Sequence, residues 1–90
     1  MACVYCGSVE QLTVDHVVPL SRWQEFGLRR RVLDNPSNRV PCCRRCNSEK
    51  GNMHPREWLA LHPEYVARFA AEAKYLSNAV CLLAGLPVRK

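Results

Sequence analysis

The apolar positions change rhythm twice along the chain. From Leu12 to Val18 the run Leu-Thr-Val-Asp-His-Val-Val is rich in β-branched residues and is stopped by Pro19, which predicts a strand around residues 11–16. A second extended run, Arg39-Val40-Pro41, follows the turn-forming Asp34-Asn35-Pro36-Ser37 and can pair with the first. Residues 21–37 read as a basic loop with one helical turn near Ser21–Phe26. A helix is predicted from near Cys43 to Gly51-Asn52, because glycine is favoured just past a helix end. Beyond that the rhythm is helical. Pro55 and Pro63 each occupy a first helical position, with His54 and His62 as helix-start residues before them. Across 63–84, Val66, Phe69, Ala73, Leu76, Val80 and Leu83 recur at alternating spacings of three and four, which predicts one long amphipathic helix closed by Gly85 and Pro87.

Ninety residues make one small domain, and domains of this size usually need a staple. No apolar run approaches the ~18 residues of a membrane span. The opening MACVYCG lacks the basic and apolar regions of a secretory signal, so a cytoplasmic location without membrane contact is expected. In that setting, cysteine pairs among the six read as metal ligands before disulfides. Cys3-x-x-Cys6 and Cys43-x-x-Cys46 form two knuckles whose four thiolates fill the closed tetrahedral shell of a structural Zn²⁺. Cys42 has no cysteine three residues on, and Cys81 falls on the predicted C-terminal helix as a small buried apolar residue.

The net charge of +5 favours acidic partners, and it is unevenly spread: residues 22–56 carry nine basic groups against three acidic ones. Arg29, Arg30, Arg31, Arg44, Arg45 and Lys50 are therefore candidate contacts to a phosphate backbone. Trp23 and Phe26 could stack on bases, although such residues are more often core.

Thirty-six residues separate the two knuckles, more than the usual zinc-ribbon gap of about 15–20. The insert holds Asp15-His16 at the end of the first strand and Asp34-x-x-x-Asn38, and Asn47 directly follows the second knuckle. The ordered runs CVYCG, LTVDHVVPLS, DNPSNRV and CCRRCNSEKGN resemble the HNH endonucleases of the ββα-metal class, over about residues 3–52. The resemblance implies an α+β chain: a small ββα-metal domain at 1–52 stapled by the knuckles, with a helical extension at 53–90 packed on it as part of the same domain. It implies DNA phosphodiester hydrolysis that leaves a 5′-phosphate and a 3′-hydroxyl. His16 would be the general base that activates water, Asp15 and Asn47 would hold a single catalytic metal, and Asn38 would brace the loop that aims His16. Many relatives carry histidine where this chain has Asn47; two hard oxygen donors instead suit Mg²⁺ or Mn²⁺. The chain also departs from the family pattern in lacking a glycine pair after Pro-Leu-Ser and in reading Asn38-Arg39 where Asn-Leu is usual.

Neighbouring strand residues point to opposite faces, so bringing Asp15 and His16 to one phosphate calls for a twist or bulge at the strand end. Asp15→Ala is then expected to leave the fold intact. Taken singly, Asp15-His16 is an ordinary surface pair, Asn38 the end of a turn and Asn47 a local capping residue. The rival is a zinc-ribbon-like nucleic-acid-binding module without catalysis, or a structural protein that docks through 63–84. That helix either covers the core or forms a homodimer seam. With little chain beyond the nuclease unit, a free-standing phage or mobile-element enzyme, or one directed by a targeting partner, is expected.

Overall fold

A computed structural model of the chain describes residues 1–86, and the expected stop at Pro87 lies outside them. The elements run β1 (Leu12–His16), α1 (Arg30–Leu33), β2 (Arg39–Cys43), α2 (Arg44–Lys50), α3 (Pro55–Leu61), α4 (Val66–Glu72) and α5 (Asn78–Ala84). Short 3₁₀ turns occupy Leu20–Arg22, Pro36–Asn38 and Pro63–Tyr65. The α+β class expected from the sequence is the class observed.

β1 and β2 pair antiparallel, with Leu12 opposite Cys43 and His16 opposite Arg39. The register is unbroken, and it is prolonged by the Val17 N–H, which donates to the Asn38 carbonyl at 2.9 Å. Of the twist or bulge expected at the strand end, the bulge is absent, because no extra residue is left unpaired there. Pro41 is tolerated inside β2 because neither strand of a two-stranded sheet is central. Its carbonyl accepts the Val4 N–H at 3.1 Å, which ties the first knuckle to the outer edge of β2.

The single helix expected over 63–84 is three pieces. Ala73 leaves helical geometry at φ −91°, ψ 53°, and the chain restarts at Ser77. Ser77 Oγ accepts the Val80 N–H at 3.3 Å, while its own N–H donates to the Ser37 carbonyl at 3.1 Å. A helix through Ser77 would forfeit both bonds. The stripe nonetheless goes inward: Phe69, Ala73, Leu76 and Val80 are all buried, whereas Val66 is exposed. These side chains are occupied by this chain's own core.

That core is one cluster linking the knuckles to the C-terminal helices. Tyr5, between Cys3 and Cys6, stacks on Phe69 at 5.4 Å and meets Trp58 edge-on at 5.6 Å. His54 caps α3 by accepting the Arg56 N–H on Nδ1 at 3.0 Å, and His62 stacks on Tyr65. Trp23 and Phe26 pack partly buried against the core. No helix among the described residues is long and apolar enough to cross a membrane.

Candidate active site and metal centre

The sulfurs of Cys3, Cys6, Cys43 and Cys46 all lie within 4.8 Å of one another. A tetrahedral Zn²⁺ with Zn–S bonds of about 2.3 Å sets its sulfurs about 3.8 Å apart, a spacing that the four thiols approach. The first knuckle closes through the Gly7 N–H, which donates to the Cys3 carbonyl at 2.9 Å. Gly7 sits at φ +82°, a backbone conformation that favours glycine, and the Arg68 guanidinium packs over the space where a Cβ would stand. Burial works against the Cys3 thiolate, but the N–H groups of Cys43, Cys6 and Tyr5 outweigh it and bring the thiol down to about 7. Arg45 turns its guanidinium toward Cys46, whose sulfur holds the arginine's pKa above its ordinary value. Arg45 thus serves the cysteine cluster as well as the surface, a use that its count among exposed basic residues conceals.

The second knuckle also builds the helix behind the site. Cys43 is the last residue of β2 and the N-cap of α2, and its sulfur accepts the Cys46 N–H at 3.5 Å. From that start, Cys46, Asn47 and Lys50 fall on the face of α2 that meets β1. Asn47 Nδ2 donates to Thr13 Oγ1 at 2.7 Å. With the nitrogen so used, Oδ1 is the atom Asn47 can offer a cation.

Asp15, two residues after Thr13, points to the same α2-facing side, and its side chain is only 5% exposed. The Tyr5 hydroxyl donates to Oδ2 at 2.9 Å, and Lys50 Nζ lies 3.2 Å from the same oxygen and 3.4 Å from Oδ1. Lys50 also donates to the carbonyls of His16 and Val17, at 3.1 and 3.0 Å. This corrects the expected role of Lys50. It is not a surface contact to phosphate but a fully buried cation that joins Asp15 to the turn after β1. Burial raises the Asp15 pKa against the pull of Lys50, and burial lowers that of Lys50 against the pull of Asp15. Asp15 and Asn47 are hard oxygen donors on one face, and a carboxylate has about four acceptor positions, of which these bonds use three. The pair fits Mg²⁺ or Mn²⁺ by donor type, beside a resident ammonium.

His16 faces the other side of the sheet. Its Nε2 is shielded from solvent and lies 3.4 Å from Asp34 Oδ1, an ion-pair separation rather than an aligned hydrogen bond. Asp34 Oδ1 also accepts Arg39 Nη2 at 3.0 Å; that bond first, and His16 second, holds the carboxyl below its ordinary range. Asn38 is wholly buried. Its Oδ1 accepts the Val18 N–H, and its Nδ2 donates to the carbonyls of Val18 and Leu33, each at 2.9 Å. One side chain therefore ties the chain just past His16 to the end of α1.

Arg29, Arg30, Arg31 and Arg44 are exposed. The first three sit at the cap and first turn of α1, a helix that the basic loop expected over 21–37 does not include. The pairing of Asp34 with His16 is likewise not evident from the sequence. The only sequence signal for it is a carboxylate four residues before Asn38, on the same connection between the strands.

A family model described as HNH endonuclease matches residues 3–53, more than half of the chain. No curated protein matches it. The matched span takes in both knuckles, both strands and α2.

Proposed function

We propose that this chain, which belongs to the HNH endonuclease family, hydrolyses DNA phosphodiester bonds with His16 as general base. The observation that carries the reading is the β1–β2–α2 unit clamped by four cysteines, with His16 at the end of β1 and Asp15 and Asn47 on the α2 side. Because consecutive strand residues face opposite ways, a phosphate can meet both His16 and Asp15 only over the end of β1. Asn38 fixes the chain immediately beyond His16 and so sets where that end lies.

Asp15 and Asn47 would hold Mg²⁺ or Mn²⁺, which when bound polarises a phosphate oxygen and eases departure of the leaving oxygen. His16 takes a proton from water, and the water oxygen forms the new bond to phosphorus. The bond from phosphorus to the 3′ oxygen breaks, and that oxygen takes a proton from solvent. The products are a 5′-phosphate and a 3′-hydroxyl, and His16 returns its proton to water. Arg29, Arg30, Arg31, Arg44 and Arg45 would bear on the DNA backbone, in a contact that salt weakens steeply.

One observation favours a second reading, a nucleic-acid-binding module without catalysis: the Asp15 carboxylate already holds an ammonium. Plasmid nicking in Mg²⁺ or Mn²⁺ separates the two. His16→Ala should abolish nicking and keep salt-dependent DNA binding. Wild-type protein that binds DNA but fails to cut it with any divalent metal supplied would establish the module instead.

A further inference from the structure

We infer that Asp34 is a positioning residue for His16, holding the ring by Nε2–H so that Nδ1 is the nitrogen presented to the attacking water. The inference rests on the nuclease reading for its kinetic consequence, but the pairing itself stands on geometry alone.

The His16 side chain is 27% exposed, yet its Nε2 has no solvent contact. The accessible part of the ring therefore excludes Nε2, and Nδ1 is the remaining polar atom. Among the described residues, Nε2 has no aligned hydrogen-bond partner, and the Asp34 carboxylate oxygen Oδ1 lies 3.4 Å from it. A buried ring nitrogen left in this state is costly, and a small rotation onto Asp34 satisfies it. Catalytic hydrogen bonds are often long before substrate arrives and shorten in the complex.

Asp34 is itself held. Its N–H donates to the Arg30 carbonyl at 2.9 Å, closing α1, and its Oδ1 accepts Arg39 Nη2 at 3.0 Å. Arg39 is the residue opposite His16 in the β ladder, so the strand pairing that ends at His16 also supplies the guanidinium that steadies its partner. The arrangement gives a base oriented by a third group, as hydrolytic sites require of a histidine. When Nδ1 takes the proton from water, the ring becomes a cation, and the Asp34 carboxylate stabilises it from the far side. Asp34 touches neither the phosphate nor the water.

The test uses the full chain with zinc bound, and two substitutions. Asp34→Ala removes the acceptor; Asp34→Asn keeps size and an acceptor oxygen. Wild-type protein should show a slowly exchanging ring N–H resonance that disappears in His16→Ala. Asp34→Ala should lose that resonance, keep its melting temperature and KM for plasmid, and lower kcat by about 100-fold. Asp34→Asn should keep the resonance and recover part of kcat. The inference is overturned if Asp34→Ala retains the resonance or keeps kcat within about twofold of wild type. It is equally overturned if the kcat loss in both variants follows an equal fall in melting temperature. A wild-type chain that cleaves nothing defeats the nuclease reading, and the resonance then still decides the pairing.

Discussion

Lys50 and Asp15 are worth more to the fold together than either is alone. Breaking a buried ion pair strands a charge, at about 3–5 kcal/mol, whereas replacing both partners by apolar residues is often near neutral. Lys50→Met and Asp15→Ala should each lower stability by about that much in urea unfolding, and the double variant Asp15→Leu/Lys50→Met should recover most of it. Single losses below about 1 kcal/mol would show that the pair is open to water. The expectation that Asp15→Ala leaves the fold intact is thus reversed, because the carboxylate bonds Tyr5 and Lys50 as well as facing the proposed cation. The burial of Lys50 was legible in principle. Cys43, Asn47 and Lys50 stand at the spacings of an inward helical face, but reading Lys50 for its charge puts it on the surface. Asp34 was less legible, since its partner is eighteen residues away and only the closed hairpin brings them together.

The secondary-structure elements show where pattern suffices and where it does not. Both strands and α2 follow from local signals that agree: β-branched residues, a proline stop, and Gly51 past the helix end at φ +54°. The twist or bulge expected at His16 comes from what the chemistry demands rather than from any residue, and the unbroken register excludes the bulge. The stripe over 63–84 has the right face and the wrong continuity. Its period says which side chains turn inward, but a serine competing for the backbone decides where the helix stops. Ser77→Ala removes the cap on α5 and should cost about 1 kcal/mol by urea unfolding, with nicking unchanged. A loss of nicking there would mean that α5 acts on the site through Ser37.

At the scale of the whole molecule, four sulfurs join the two ends of the hairpin, and an aromatic cluster centred on Tyr5 carries that junction to the C-terminal helices. Binding a metal to such a cluster is folding free energy, so chelation should erase the cooperative thermal transition and Zn²⁺ should restore it, followed by circular dichroism. Cys46→Ser should behave like the chelated protein whatever metal is added. A melt insensitive to chelator would mean that the apolar core suffices without the ion. The staple and its four ligands were legible from spacing alone, whereas the approach of Arg45 and Tyr65 to Cys46 was not, because Tyr65 comes from the distant start of α4.

Cys43 ends β2, begins α2 and joins the sulfur cluster, and Asn47 follows one helical turn later. Between these two residues the chain is a ruler with fixed graduations: one inserted residue would rotate Asn47 by about 100° away from Thr13. Between Pro19 and Leu33 it is a rope, whose length matters little so long as Asn38 can fasten the far end to Val18. Variation in length is affordable in the arch and ruinous in the five residues from Cys43 to Asn47.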